Sequence, residues 1–207
     1  MTRKERSCDS GRVSKGEQTR TAILDEAVGI ASQVGFNALT IGKLADSTGM
    51  SKSGLFAHFK SKEALQLDTL HRAQERFNDL VIRPALSAPR GRKRVEALFD
   101  HWLDWETEAL TGGCIFVTAT VEFDDQPGPM RDAVVRCQQD WLEFVASVAG
   151  TAVAEGDFRA GLDTEQFAFQ LQGLMLGYHH AGRLMRDPRA REHTRKALDD
   201  LLESVAA

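Results

Sequence analysis

Residues 40–65, TIGKLADSTGMSKSGLFAHFKSKEAL, constrain the fold of this chain more than any other stretch. Thr40 can cap a short helix, and Gly49 follows where the chain must turn through positive φ, at little steric cost only for glycine. Ser51 can cap a second helix, and Ser61 can cap a third. Apolar residues fall at helical spacing on the inner sides of the first two helices: Ile41, Leu44, Ala45, Leu55 and Phe59. The stretch therefore predicts a helix-turn-helix that runs directly into a third helix.

The second of these helices has a small and basic outer side, which suits a position in the major groove of duplex DNA. Its outward residues are Lys52, Ser53, Gly54 and Ala57. Lys62 lies in the first turn of the following helix, where a basic side chain and free backbone amides suit a phosphate. The alternative interpretation is that the two helices and their glycine turn form only a small packing corner.

A helix upstream of this motif completes a three-helix unit. Residues 18–34 have apolar positions at helical spacing, and Gly35 follows as a favourable left-handed C-terminal residue. Over about a quarter of its length the chain resembles the TetR family of bacterial transcriptional regulators. The resemblance rests on these positions: Ile23-Leu24, Gly35-Phe36, Thr40-Ile41, Leu44-Ala45, Gly49-Met50-Ser51, Leu55-Phe56 and His58-Phe59-Lys60-Ser61-Lys62-Glu63-Ala64-Leu65.

The resemblance implies an all-α homodimer with an N-terminal three-helix DNA-binding unit and a C-terminal helical bundle. Each N-terminal unit would place the helix capped by Ser51, its third helix when the upstream helix is counted, in a major groove of double-stranded DNA. The two grooves would be successive ones at a near-palindromic operator. The C-terminal bundle would dimerise and bind a small-molecule effector.

The resemblance also assigns residues to the DNA. The residues expected at the DNA interface are Thr40, Lys43, Ser51, Lys52, Ser53, Gly54, Phe56, Ala57, His58 and Lys62. Those expected at base edges are Lys52, Ser53 and Ala57; those expected at phosphates are Thr40, His58 and Lys62. Phe56 departs from the family, which usually has tyrosine here, so a hydroxyl contact to phosphate is missing. Gly54 weakens the helix by about 1 kcal/mol relative to alanine, which hints at close backbone approach to DNA or at ordering on binding.

Basic charge is concentrated at the N-terminal end of the chain. The whole chain has 26 Lys+Arg against 30 Asp+Glu and a net charge of −4, which by itself disfavours DNA binding. Residues 1–62 contain 10 basic and 6 acidic side chains, a net of +4, so residues 63–207 have a net of −8. The DNA-binding surface is therefore expected within the N-terminal part of the chain.

Composition sets the outer bounds. A chain of 207 residues with 42% apolar content can bury a substantial core. Cys8, Cys114 and Cys137 form neither a paired framework nor a CxxC, and no apolar run is long enough for a membrane span or a signal peptide. We therefore expect a cytoplasmic, reduced protein. Residues 1–16 are polar and basic and predict a disordered arm, which either contacts DNA or is a solvated tail.

The rest of the chain predicts further helices. Residues 17–65 form the predicted DNA-binding domain, and a linking helix from Lys62 ends near residue 83, before Pro84. Residues 84–207 show no strand-like alternation and no internal repeat, and their heptad-like spacings predict a helical domain for ligand binding and dimerisation. About nine helices are expected in all.

Aromatic, Met and Cys side chains of the body are the best candidates for a ligand cavity, because apolar walls with few polar groups suit a small lipophilic or aromatic molecule. The candidates are Phe99, Trp102, Trp105, Phe116, Cys137, Trp141, Phe144 and Met175. The alternative is ordinary core packing, which explains most aromatic stripes at helical spacing.

The last two helices have the pattern of a dimer interface. Asp163 and Gln166 can open the first of them with a capping box. The candidate interface residues are Phe167, Leu171, Gly173, Leu174, Gly177, Tyr178, Ala181, Leu198, Leu201 and Leu202. Two such helices from each subunit would build a four-helix interface, although burial inside one subunit explains the same pattern.

Enzyme and metal-site features are weak. His179 and His180 diverge by about 100° along a helix and do not converge on one ion, so we interpret them as a surface or interface pair. The acidic run at 122–125 lies next to Pro and Gly and predicts a solvated loop. The cysteines have no adjacent base or resolving partner, and phosphate-loop, HExxH and GxSxG patterns are absent. We expect no enzymatic activity, no cofactor and no metal.

The leading hypothesis is a transcriptional regulator, most simply a repressor that a ligand releases from its operator. The alternatives are an effector-independent DNA-binding dimer and, less simply, a helical carrier or enzyme that uses the cavity of the body. The sequence leaves open the effector, the operator and its genes, repression against activation, redox sensing by Cys114 or Cys137, and the role of the N-terminal arm.

Overall fold

The computed structural model describes residues 14–207, whose regular structure is helical apart from one isolated backbone bridge between Phe158 and Ala206. The N-terminal part contains α1 (Lys15–Val34), α2 (Ile41–Thr48), α3 (Lys52–His58) and α4 (Lys62–Phe77). The body contains α5 (Arg83–Ser87), α6 (Arg92–Asp104), α7 (Ile115–Phe123), α8 (Pro129–Ala154), α9 (Thr164–Tyr178) and α10 (Ala190–Ser204). We call α1, α2, α3 and the turn between α1 and α2 the head.

Three π-helical segments continue these helices: Asn78–Ile82, Trp105–Ala109 and His179–Leu184. The first joins α4 to α5 without a break, and the other two extend α6 and α9. Residues 14–207 therefore form nine continuous helical rods, which confirms the all-α fold class and the helix count expected from the sequence.

The side-chain caps expected from the sequence are present at the helix starts. Thr40, Ser51 and Ser61 each accept a hydrogen bond from the backbone N–H three residues on, at 3.1, 3.1 and 3.0 Å. Asp163 does the same at the start of α9, at 2.9 Å. Gly49 ends α2 in the left-handed conformation, with φ at 68°. Local chemistry thus fixes where α3 begins and how the chain turns into it.

α1 begins earlier than the sequence interpretation placed it. Ser14 Oγ accepts from the backbone N–H of Glu17 at 3.2 Å, and the Glu17 carboxylate accepts from the backbone N–H of Ser14 at 2.8 Å. This reciprocal capping box lowers the pKa of Glu17, because a hydrogen bond from the Ser14 backbone favours the charged form. Residues 14–16 therefore belong to the helix and its cap; the rest of the predicted arm, residues 1–13, lies outside the described residues.

The linking helix does not end before Pro84, as the sequence interpretation expected. Proline lacks an N–H, and its ring crowds the carbonyl four residues earlier in an α-helix. Just upstream the chain widens into a π turn, in which the backbone N–H of Arg83 donates to the carbonyl of Asn78. The wider turn gives the ring room, so the helix runs on to Ser87.

Ion pairs and a shared core hold the head against the body. Arg72 of α4 binds Asp25 of α1 at 2.8 Å, a contact that raises the pKa of Arg72. One hydrophobic core runs without interruption from α1 to α10. Within this core, Phe36 in the turn after α1 meets Phe123 at the end of α7 edge-on, with ring centroids 6.2 Å apart. Among residues 14–207 no helix is both long enough and apolar enough to cross a membrane.

Candidate DNA interface and ligand cavity

The recognition helix α3 exposes the residues predicted to face base edges. Leu55 is fully buried on its inner side, next to the buried Phe59 that follows the helix. Lys52, Ser53 and Ala57 are exposed on the opposite side. Because large apolar residues anchor only the inner side, a small and basic surface remains open to solvent.

Phe56 lies on this open surface with 55% of its area exposed. Without a hydroxyl, it offers only an apolar contact, such as one to sugar or a thymine methyl. Gly54 is half-buried, and a Cβ at this position would lie 3.2 Å from Ser51 Oγ. Glycine there relieves crowding under the helix cap, which is a reason for the residue that the sequence interpretation missed.

The start of α2 lies beside the start of α3. Thr40 Oγ1 and the end of the Lys52 side chain both come within 4 Å of the place that a Cβ on Gly42 would occupy. Lys43, in the first turn of α2, is exposed. The structure therefore brings these predicted DNA residues onto one surface.

His58 is the last residue of α3, and Lys62 is the first residue of α4. The Lys62 ammonium donates to the backbone carbonyl of Asn37 at 2.6 Å, so it also ties the start of α4 to the turn between α1 and α2. The His58 ring is half-buried and tilted against Phe59, with centroids 6.2 Å apart. Neither role was expected from the sequence, and each makes the predicted phosphate contact dependent on the packing of the head.

A cavity of about 310 Å³ opens in the body between α4, α6, α7, α8 and α9. It contains six of the eight predicted ligand residues: Trp102, Phe116, Cys137, Trp141, Phe144 and Met175. The volume is at the lower end of the range for small-molecule sites. We refer to this space as the cavity.

Phe99 and Trp105 do not line the cavity, which corrects two of the sequence assignments. Phe99 is fully buried towards α10, where the Arg195 guanidinium lies 5.4 Å from its ring centroid. Trp105 stacks behind Phe116 at 6.1 Å, in a second layer. Helical spacing identifies inward residues, but it does not tell which of them reach an unfilled space.

The cavity also contains residues that the sequence interpretation had not assigned to it. From α4 and its π segment come Gln74, Phe77, Asn78 and Ile82. From the other helices come Cys114, Val117, Gln138, Asp140, Gln172 and Leu176. The polar residues among them could have indicated the cavity from the sequence. A side-chain amide on the inner side of an apolar helix needs a hydrogen-bond partner there.

Burial suppresses thiolate formation at the cavity. Burial, and after it the negative charge of Glu106, raises the pKa of Cys114 to about 12. Burial is also the main cause that raises the pKa of Cys137 to about 11, and the charge of Asp140 adds to it. Both groups are therefore protonated thiols at neutral pH, and the geometry gives neither the low pKa of a reactive cysteine.

The buried carboxylate of Glu106 lies behind Cys114, outside the lining of the cavity. Glu106 accepts a hydrogen bond from the backbone N–H of Cys114 at 2.7 Å, and its other oxygen lies 2.8 Å from His179 Nδ1. His179 is thus an internal partner of Glu106, which corrects its assignment to a surface or interface pair, whereas His180 is exposed. Within residues 14–207 no group of His, Cys, Asp and Glu is arranged to hold a metal ion.

Glu122 connects the body to the head and is not part of a solvated loop. It belongs to the last turn of α7, and its carboxylate accepts from the backbone N–H of Phe36 at 2.6 Å and of Asn37 at 3.4 Å. A Cβ on Gly35 would lie 2.0 Å from the same carboxylate. The contact between α7 and the head is therefore both charged and tight.

The predicted dimer residues divide between the core and the surface. Those buried in the core of the body are Phe167, Leu171, Tyr178, Leu198, Leu201 and Leu202. α9 and α10 pack these side chains into their own domain, which leaves little of their area for a contact with a second subunit. Gly173 and Gly177 are exposed, and Leu174 and Ala181 are half-buried.

The exposed apolar residues of α9 and its π extension lie on the same side as these glycines. Phe169 is 70% exposed, Leu176 43% and Leu184 71%. Their spacing places them with Gly173 and Gly177 on one stripe, which we call the outer face of α9. The sequence analysis assigned the inner stripe of the same helix and the two glycines to the interface, and it missed Phe169, Leu176 and Leu184.

Known proteins share both parts of this architecture. Residues 23–68 match the family described as bacterial regulatory proteins, tetR family, and residues 91–198 match the tetracyclin repressor-like C-terminal domain. The chain is 23% identical over 179 residues to the HTH-type transcriptional regulator SrpR of Pseudomonas putida. The aligned region covers 86% of this chain and 81% of that protein.

Solved structures agree with these matches. A TetR-family regulator from Cytophaga hutchinsonii superposes with a TM-score of 0.83 at 17% identity, over 95% of this chain and 99% of that one. AibR, solved in complex with isovaleryl coenzyme A and operator DNA, superposes with a TM-score of 0.65 at 19% identity, over 90% and 98% of the two chains. With its exposed recognition helix and its helical body, the chain belongs to the TetR family of DNA-binding transcriptional regulators.

Proposed function

We propose that this regulator is a homodimeric repressor that a small lipophilic or aromatic molecule releases from a near-palindromic operator. The observation that supports it best is the position of the cavity. The C-terminal end of α4 forms one of its walls. The N-terminal end of the same helix begins at Lys62, close in sequence to the end of the recognition helix. A molecule that displaces this wall displaces the head with it.

The first connection from cavity to head is α4 itself. Gln74, Phe77 and Asn78 face the cavity, and Arg72 one turn earlier holds Asp25 of α1. Because α1 and α4 are joined by ion pairs and by core contacts, a tilt of α4 rotates the head as a unit. A coupling of about 1–3 kcal/mol between the two sites is enough for a 5- to 150-fold change in operator affinity.

The second connection is α7. Phe116 and Val117 in its first turn line the cavity, and Glu122 in its last turn holds the backbone N–H of Phe36. A ligand that pushes on the first turn changes the position of this carboxylate. The turn between α1 and α2 then moves relative to the body.

Dimerisation is proposed at the outer face of α9. Its glycines allow another helix to approach closely, and the exposed Phe169, Leu176 and Leu184 supply apolar area. A two-fold axis at this face would repeat the recognition helix on both half-sites of an operator. Leu176 also lines the cavity, so the dimer contact and the ligand contact share a residue.

Selection of genomic fragments by the purified full-length protein tests the proposal. We expect enrichment of one near-palindromic site, and at least about a tenfold loss of affinity for the double variant Lys52→Ala, Ser53→Ala, because base-edge contacts are removed. The matched control is Lys93→Ala, Ser87→Ala, which removes the same side-chain types from the body surface. Equal enrichment by both double variants would contradict the assignment of α3 to the major groove.

The repressor mechanism needs a second measurement. Candidate effectors are added to the operator complex, and release is followed by gel shift or fluorescence anisotropy. Operator affinity that no lipophilic compound changes would favour an effector-independent dimer instead.

A further inference from the structure

We propose that the cavity selects a small organic cation with an aromatic or lipophilic body, such as a substituted ammonium ion. This inference rests on the proposed function, since it names the ligand class for the same cavity. Three features of the wall carry it: the charge, the aromatic rings and the polar groups.

The charge of the wall is negative. Of the sixteen residues that line the cavity, none is Lys, Arg or His, and the carboxylate of Asp140 is the single charged group. Asp140 lies at the exposed rim of the cavity, and no basic side chain among residues 14–207 forms an ion pair with it. Its charge contributes to the raised pKa of Cys137, one turn earlier on α8, so its field reaches the wall itself.

The walls are rich in aromatic rings. Phe77 makes edge contacts with Phe116 and Trp141, with centroids 5.4 and 5.3 Å apart, and Trp102 and Phe144 complete the lining. The electron-rich face of an aromatic ring attracts a cation, most strongly for tryptophan. A neutral apolar molecule gains only burial from the same rings.

The polar groups of the wall give an anion no positive charge, because the side-chain amides of Gln74, Asn78, Gln138 and Gln172 are neutral. The Trp141 indole N–H, which an anion could use as a donor, already donates to Gln172 Oε1 at 2.8 Å. The two thiols, Cys114 and Cys137, are neutral. A carboxylate or phosphate ligand would therefore enter a cavity without a countercharge and face the charge of Asp140.

Three probes of one shape and different charge test the inference: phenyltrimethylammonium (+1), tert-butylbenzene (0) and benzenesulfonate (−1). Each carries a tetrahedral group on a phenyl ring. Affinities are measured by calorimetry on the full-length protein, together with operator release. Asp140→Asn removes the charge at nearly constant shape, and Asp199→Asn on exposed α10 is the matched control.

We expect the ammonium ion to bind most tightly, and Asp140→Asn to weaken it by about three- to tenfold without changing the affinity for tert-butylbenzene. The Asp199→Asn protein should match the wild type. Tighter binding of the neutral or anionic probe, no effect of Asp140→Asn, or no binding of any probe would overturn the inference. Ammonium binding that leaves the operator complex intact would support the ligand class and contradict the release mechanism, so the two proposals fail separately.

Discussion

α4 and α7 both connect the cavity to the head. Their contacts with the head differ: those of α4 are spread over many residues, whereas those of α7 depend on few groups. α4 packs along α1 and is tied to it by three ion pairs, Arg72 and Arg76 to Asp25 and Arg20 to Asp68. α7 has nine residues and reaches the head through the Glu122 carboxylate and the ring of Phe123. A distributed contact tolerates the loss of one member, whereas a concentrated contact does not. Single substitutions should therefore separate the two connections.

The largest effect is expected at Gly112, just before α7. A Cβ here would lie 1.8 Å from the backbone oxygen of Ser32 in α1 and 2.5 Å from the backbone nitrogen of Gln33. Backbone atoms on both sides cannot move away cheaply, so Gly112→Ala should destabilise the fold by about 3 kcal/mol or more. Urea unfolding measures this loss.

Gly150→Ala is the matched control for that substitution. Gly150 lies inside α8 and has nothing within 4 Å of an added Cβ. Alanine should stabilise the helix there by up to about 1 kcal/mol. A similar stability for both variants would show that the α1 contact at Gly112 is loose.

A moderate effect is expected at Glu122. Glu122→Ala leaves the backbone N–H of Phe36 without its acceptor, which should lower stability by about 1–3 kcal/mol and reduce ligand-induced operator release. Glu122→Gln keeps an acceptor oxygen and should lose less. Operator titrations with and without effector measure the coupling, with Asp125→Ala in the neighbouring exposed turn as control. Unchanged coupling in Glu122→Ala would show that the Glu122 carboxylate does not carry the connection through α7.

The smallest effect is expected at Arg72. Its partly exposed ion pair with Asp25 is one of several contacts between α1 and α4, so Arg72→Gln should lower stability by about 1 kcal/mol or less and leave operator release intact. Arg136→Gln, at an exposed position of α8, is the control. If Arg72→Gln abolished release while stability held, the α4 contact would be concentrated as well.

The head could be predicted almost residue by residue because its determinants are local. A hydroxyl cap acts three residues away, and a left-handed glycine acts on its own turn, so Thr40, Gly49 and Ser51 are readable from the sequence. Phe56 was recognised as a departure from the family and is indeed exposed. The second roles of Lys62 and His58 were missed, since their partners are set by tertiary packing.

The cavity and the proposed dimer surface were only partly predictable because both depend on which side of a helix stays uncovered. Phe99 and Phe144 have the same helical pattern, yet one is covered by α10 and the other borders an unfilled space. Leu198 and Phe169 show the same limit for the dimer surface. Glu122 resembled a loop acid because its partner, the backbone of Phe36, is 86 residues away in sequence.

The shared core has a consequence for building chimeric regulators. Phe36 is fully buried, and part of its cover is Phe123, a residue of the body. A head cut at residue 65 and grafted onto another body would lose this ring and the Glu122 carboxylate together. The transplantable unit is therefore discontinuous: the head, α4 and the final turn of α7 have to be exchanged as one piece.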